Sequence, residues 1–319
     1  MKNYDVFNGD ADGICSLVQL RLAEPRDAVL VTGVKRDIKL LDRLHIEPND
    51  AITVLDISMQ KNHAALVKSL DEGATVFYAD HHNPGERVEH SSLEALIDTS
   101  SLKCTALIID EHLNHKYPLW AITAAFGDNL SNVAYEYASR IELSSADTET
   151  LKLLGELINY NGYGASLDDL FFPPDELYKA CVNFTSPLDF VQERQDIISI
   201  LKSGYEDDLS KALTQPLLHS SDTVNVIKFP NDKWARRISG TFSNIISNKN
   251  PTQSHIILTE KNNGDYVVSL RAPQDQLTGA DEIALQFPTG GGRKGAAGIN
   301  ALPEQDLARL IECTETFYS

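Results

Sequence analysis

Asp80, His81 and His82 follow directly on the apolar run Ala74-Thr75-Val76-Phe77-Tyr78-Ala79. A run of that kind reads as a buried strand, so three polar side chains sit where a strand ends and the chain turns. A carboxylate beside two imidazoles is the donor set of a metal site. Comparable acids are Asp10 and Asp12 after the strand-like run 4–7, Asp56 after 51–55, and Asp128 after the apolar segment 119–126. A parallel sheet would bring all of them to one rim. Asp10 and Asp12 are two apart, so on extended backbone they project to the same side, and Gly13 permits a sharp passage into a helix beginning near Ile14.

Any one of these acids alone would serve as a helix N-cap. Together, with two histidines at the same rim and no lysine expected nearby, they would repel one another unless cations neutralised them. Carboxylate and imidazole donors suit manganese, with magnesium or cobalt as substitutes, better than a thiolate-preferring metal. Two such ions about 3.5–4 Å apart would share a bridging carboxylate, activate a water and clamp the oxygens of an in-line phosphoryl displacement.

The elements that must position these groups alternate along the first half. Strand candidates at 4–7, 28–32, 51–55, 74–79 and 95–97 are separated by helical stretches such as 14–23 and 62–71. That βαβα rhythm predicts an α/β domain with a mostly parallel sheet flanked by helices, whose ligands bind beyond the carboxyl ends of the strands. Segments 102–140, 148–159 and 175–180 read as helices, and a long charged helical stretch over 187–213 reads as a connector. The expected organisation is a first domain at 1–186, a helical linker at 187–215 and a smaller α+β domain at 216–319. In the last of these, strands at 223–229, 254–259 and 266–272 and a helix at 233–247 precede a glycine-rich loop, 290–298.

The bulk composition narrows the partners. A chain of 319 residues exceeds a comfortable single core. Its net charge of −18 argues against tight binding of long duplex nucleic acid, which draws its affinity from many Lys and Arg contacts with phosphates. Small anionic ligands remain compatible, because a few local cations or a metal outweigh the global field. Cys15, Cys104, Cys181 and Cys313 lack metal-ribbon or disulfide-scaffold spacing and read as buried thiols in a reducing cytoplasm. The first residues enter a strand without a secretory pattern, and no apolar run approaches membrane-spanning length, so neither a signal nor a membrane partner is expected. Association as a homodimer is compatible with the sequence.

In order and spacing, Asn8-Gly9-Asp10-Ala11-Asp12-Gly13, Leu55-Asp56-Ile57-Ser58, Asp80-His81-His82 and Gly127-Asp128-Asn129 resemble the four motifs of the DHH phosphoesterase superfamily. The loop 290–298, with Val268-Ser269-Leu270-Arg271, resembles that superfamily's associated C-terminal domain. The resemblance spans nearly the whole chain. It implies that Asp10, Asp12, Asp56, His81 and Asp128 bind two manganese ions with Asp56 bridging, and that Asp80 orients His81. It further implies that His82 faces the phosphate as donor or acid, while Arg271, Gly290, Gly291, Gly292, Arg293 and Lys294 hold the distal part of the substrate.

Three positions depart from the pattern. The pyrophosphatase and oligoribonuclease branches carry histidine where Val6 stands, and the single-strand exonuclease branch carries aspartate where Asn8 stands, so the first metal site is one ligand poorer. Many members place histidine where Arg293 stands. The expected activity is manganese-dependent hydrolysis, in a cleft between lobes, of phosphodiester or phosphomonoester bonds in small nucleotides: short oligonucleotides, linear or cyclic dinucleotides, or pAp. The alternatives are a pyrophosphatase or polyphosphatase, and an inactive nucleotide-binding sensor.

Overall fold

The alternation of apolar and helical runs becomes a wholly parallel sheet in the computed structural model, which describes Met1–Ser319. Strands β1 (Asn3–Phe7), β2 (Val29–Val31), β3 (Ala51–Leu55), β4 (Thr75–Asp80) and β5 (Leu93–Ile97) lie in the order β2-β1-β3-β4-β5. Helix α1 (Ala11–Ala23) connects β1 to β2, and α2 (Met59–Asp71) connects β3 to β4. Apolar side chains of both sheet and helices, among them Val6, Ile52, Val54, Leu66, Val76 and Tyr78, form one continuous core. The order reverses between β1 and β3, and in an open parallel sheet the crevice at the carboxyl ends beside such a reversal is the place for a ligand. A polar group interrupts the sheet interior: Asp5 is buried on β1, where Arg21 of α1 donates to both its oxygens at 2.5 and 2.8 Å. That fork satisfies charges whose burial would otherwise be costly.

After β5 the chain is helical: α3 (Thr105–His112), α4 (Pro118–Gly127), α5 (Ser131–Arg140), α6 (Ser145–Gly162), α7 (Pro174–Cys181) and α8 (Pro187–Glu193). Two glycines set the closest approach in this layer. A Cβ on Gly127 would stand 2.4 Å from the Ala11 Cβ and 2.8 Å from the Gly155 oxygen, so α4 lies directly against α1 and α6. The stretch 187–213 is two helices, α8 and α9 (Gln195–Leu213), broken at Arg194. The chain separates into two units, Met1–Lys202 and Ser203–Ser319, with the division inside α9.

The second unit is built on a mixed sheet in the order β10-β11-β9-β8-β7-β6: β6 (Leu217–Ser220), β7 (Val224–Phe229), β8 (Ser254–Glu260), β9 (Tyr266–Arg271), β10 (Gly290–Arg293) and β11 (Ala296–Leu302). Only β7 and β8 run parallel. Helices α10 (Lys233–Lys249), α11 (Ala280–Ala284) and α12 (Leu307–Tyr318) complete it. Val226, Ile256, Leu258, Val268, Leu270, Phe287 and Leu310 belong to its own core.

The expected glycine loop is a β-hairpin instead. Residues 290–293 pair antiparallel with 296–299, and Lys294-Gly295 make the turn. Glycine has low strand propensity, which hides a ladder of this kind from a sequence reading. Short β6 and α11 also lack a readable pattern. No helix is long and apolar enough to cross a membrane. Cys15, Cys104 and Cys181 are buried free thiols, whereas Cys313 is partly exposed.

Candidate metal centre

The rim of the first sheet gathers its acids by local rules. Asp10 N-caps α1: its Oδ1 accepts from the amides of Asp12 and Gly13, both at 3.1 Å. Gly13 is required by close approach, because a Cβ there would lie 2.2 Å from the Asn8 carbonyl oxygen. Asp12, in the first turn of α1, accepts from the amides of Thr105 and Ala106 at 2.7 Å each, which are donors of the first turn of α3 with no partner inside their own helix. Asp56 follows β3 with φ 57°, a left-handed conformation that aspartate tolerates better than most residues. Its Oδ1 accepts from the Thr105 hydroxyl at 3.3 Å. Asp80 is the last residue of β4.

The two histidines are oriented by different partners. His81 Nδ1 lies 2.9 Å from the Lys103 carbonyl oxygen, which can only accept, so Nδ1 carries the proton. In the neutral ring Nε2 then presents its lone pair, and it faces Asp56 Oδ1 at 3.4 Å and Asp12 Oδ2 at 3.9 Å. Asp80 does not hold His81 by its ring, contrary to the expectation. Its Oδ1 accepts from the His81 backbone amide at 2.9 Å and pairs with His82 Nδ1 at 2.7 Å. Asp80 is fully buried, while the His82 side chain remains about one-third exposed. The dyad is thus Asp80–His82, and the orienting group of His81 is a backbone carbonyl that no side-chain motif could reveal.

Asp128 reaches the site from the end of a helix within the stretch read as helical, not from a strand of the sheet. It caps the carboxyl end of α4, and Asn129 at φ 62° closes that helix in the left-handed conformation, with the Leu130 amide donating to the Ala125 carbonyl at 2.8 Å. A carboxylate at the negative pole of a helix is unfavourable by itself and adds to the demand for a cation.

Lys35 contradicts the expectation that no lysine lies nearby. Its ammonium pairs with Asp10 Oδ2 at 2.5 Å and donates to Asn159 Oδ1 at 3.1 Å. No motif marked it, since it comes from the loop after β2 and is brought in by the fold.

Burial raises the Asp56 carboxyl well above its ordinary range, and the charges of Asp12, Asp10, Asp80 and Asp128 raise it further. Burial also raises Asp12; His81 opposes the shift, and Asp128 and Asp10 add to it. Burial would raise Asp10 too, but the charge and hydrogen bond of Lys35 bring it below its usual value. Lys35 would be lowered by burial, yet Asp10, Tyr163 and Asp128 hold it firmly protonated. The cluster is therefore short of positive charge on the Asp56 side and supplied on the Asp10 side.

Asp12, Asp56 and His81 fit a divalent cation. An imidazole lone pair facing two carboxylates is repulsive unless a cation or protons intervene, and Asp56, His81 and His82 offer donor atoms within 4.8 Å of one another. His82 Nδ1 is engaged with Asp80, which leaves Asp56 and His81 as the better ligands of that trio.

The second unit arranges the expected substrate residues in a row. Arg293, Ala296 and Arg271 are register partners across β10, β11 and β9, so both arginines rise from one sheet face with a small residue between them. Arg271 donates to Asn244 Oδ1 at 2.8 Å and Ser269 Oγ at 3.1 Å, and Arg293 and Lys294 are exposed. Gly292 has φ 151°, and a Cβ there would lie 2.4 Å from the Ala297 Cα; Gly290 is likewise packed against the Ala284 oxygen, whereas Gly291 opens onto empty space. Arg237 forks onto the buried Asp208 at 2.8 and 3.1 Å. His115 is a partner of Asp110 at 2.7 Å, and Asp98 accepts from the Ser100 amide in a local turn.

No protein-family model matches the chain, and neither does any curated protein. Solved structures do. The DHH domain of a protein described as a member of a ribosomal-protein family superposes with a TM-score of 0.63 at 14% identity, over 99% of this chain and 86% of that one. RecJ from Thermus thermophilus, in complex with Mn2+, gives 0.58 at 19% over 99% of this chain, which spans 52% of RecJ. A pGpG-specific phosphodiesterase from Vibrio cholerae gives 0.54 at 14%, over 100% and 99% of the two chains.

Proposed function

We propose that this chain, which carries the DHH fold, is a divalent-metal-dependent phosphoesterase that hydrolyses phosphodiester or phosphomonoester bonds in small nucleotides. The observation that carries the reading is the convergence of Asp12, Asp56 and Nε2 of His81, with the Asp80–His82 dyad beside them. Likeness to a pGpG-specific phosphodiesterase and to RecJ with Mn2+ supports phosphoryl chemistry and makes manganese the first ion to test.

Asp12, Asp56 and His81 would hold the ion, with Asp128 contributing charge. When bound, the ion supplies Lewis acidity toward a phosphoryl oxygen and lowers the pKa of a coordinated water. The chain's own residues do the rest. His82 donates Nδ1–H to Asp80, whose carboxylate supports the imidazolium, and its Nε2 would be the atom that acts on the substrate. As water adds to phosphorus and the bond to the leaving oxygen breaks, the water gives up one proton to solvent and the Nε2 proton passes to the leaving oxygen; His82 is then reprotonated from solvent. Buried Asp80 keeps the ring in the orientation that delivers this proton. In the second unit the Arg271–Arg293 row suits the anionic part of a nucleotide.

Incubation of the purified protein with Mn2+ and linear dinucleotides, cyclic dinucleotides, short oligonucleotides, pAp and pyrophosphate tests the proposal. Hydrolysis of one nucleotide class, abolished by Asp56→Asn and by chelation, is expected. Binding across the panel without turnover would replace the enzyme with a nucleotide sensor, and turnover of pyrophosphate alone would replace the substrate class.

A further inference from the structure

Lys35 is tethered at every point at which a lysine can be tethered. Its amide donates to the Gly162 carbonyl at 2.8 Å, its carbonyl accepts from Asn8 Nδ2 at 3.4 Å, and its ammonium lies 5.3 Å from the Tyr163 ring centroid. Asn159, Gly162 and Tyr163 belong to the carboxyl end of α6, the negative pole of that helix, which favours a cation. The ammonium end bonds Asp10 Oδ2 and Asn159 Oδ1 at the same time. This is a built position, held at backbone and ammonium alike.

Asp10 has correspondingly little to offer a metal. One of its oxygens takes two amides of α1 and the other takes Lys35. The neighbouring positions of the first motif add no carboxylate, since Val6 is a fully buried member of the sheet core and Asn8 brings an amide; of the other acids, Asp128 adds its charge beside Asp10 and Lys35. On the far side of the cluster Asp12 and Asp56 face the Nε2 of His81, and a cation is wanted there.

We propose that Lys35 is a resident cation that stands where a second divalent ion would otherwise neutralise Asp10, so that the centre takes a single divalent ion on Asp12, Asp56 and His81. The proposal deepens the phosphoesterase reading and rests on it. The ammonium is then the second positive pole of the site: it offsets the charge that develops on the phosphoryl oxygens and requires no metal to do so. A mobile divalent ion responds to metal supply, whereas a covalently attached cation does not, so activity would follow metal concentration with the dependence of one ion.

Titration of the full-length, metal-free protein with Mn2+ by calorimetry, with metal analysis after gel filtration and electron paramagnetic resonance, is the test. The wild type is expected to bind one ion per chain with the spectrum of an isolated Mn2+. Two ions per chain, or the spectrum of an exchange-coupled pair, overturns the proposal and leaves the phosphoesterase reading intact. Lys35→Met, checked for folding by thermal unfolding, is expected to admit a second ion, and Lys35→Arg to remain at one. A Lys35→Met protein that folds and still binds one ion also overturns it. If wild type binds no ion and is indistinguishable from Asp56→Asn, the parent reading fails with it. The wild-type stoichiometry decides even if Lys35→Met does not fold.

Discussion

Asp56 combines two demands in one residue, a left-handed backbone at φ 57° and a carboxylate buried among four others. Asparagine satisfies the first and removes the second, whereas alanine satisfies neither. Asp56→Asn is therefore expected to lose Mn2+ binding, read by calorimetry, with little loss of stability, and Asp56→Ala to be less stable than Asp56→Asn by roughly 1 kcal/mol in urea unfolding. The same residue gives a pH signature. Its folded carboxyl titrates above its unfolded value, so the folded state holds the extra proton, and stability falls as pH rises from the ordinary value of 3.8 through the raised one. Asp10, lowered, works in the opposite sense, so the difference between proteins is the clean measurement. Without metal, the Tm of wild type relative to Asp56→Asn should decline across that window, and saturating Mn2+ should remove the decline. A difference that stays flat without metal would contradict the charge crowding. Asp80→Asn tests the dyad: it is expected to lower kcat by roughly 10²–10⁴-fold with Mn2+ affinity retained, because Asp80 touches His82 and the His81 backbone but not the proposed ligand atoms. Asp10, Asp12, Asp56, Asp80 and the histidines are all legible as a cluster from their places in the chain. Their individual partners are not, because an oxygen of Lys103 and an ammonium from Lys35 leave no mark in a motif.

At the scale of elements, the site depends on how closely α4 approaches α1. Gly127→Ala places a Cβ 2.4 Å from the Ala11 Cβ and 2.8 Å from the Gly155 oxygen. It is expected to cost about 1–3 kcal/mol, as overpacking does, and to weaken Mn2+ binding by moving Asp128 away from Asp10 and Asp12. Gly291→Ala, which meets nothing within 4 Å, is the control and should change neither urea midpoint nor metal affinity. In the second unit Arg293 is exposed. Arg293→Ala should raise KM about tenfold for an anionic nucleotide and leave kcat unchanged, the loss expected for one charge-assisted hydrogen bond. The strands β3 and β4 are readable because their largely buried positions demand near-continuous apolar runs. The hairpin β10–β11 is not, because its first strand is three glycines and an arginine held by backbone pairing alone.

At the scale of the molecule, 46 acidic residues against 28 basic ones create a repulsive field for polyanions. Long duplex DNA should show no retardation in gel shift at physiological salt, and hydrolysis rate should fall as oligonucleotide length grows. The unit boundary inside α9 shows why a sequence reading of 187–215 finds only a charged helix: continuity of a helix is local, whereas the division of contacts is a property of two cores. Residue order alone carries the parallel sheet, the acids at the ends of its strands and the second unit with its glycine run, since each depends on residues adjacent in the chain. Packing in three dimensions was needed to establish that Asp80 serves His82, that a Lys103 carbonyl orients His81 and that Lys35 occupies Asp10. Those outcomes depend on which distant groups burial forces together, and electrostatic partners inside a low-dielectric site are chosen by proximity in space.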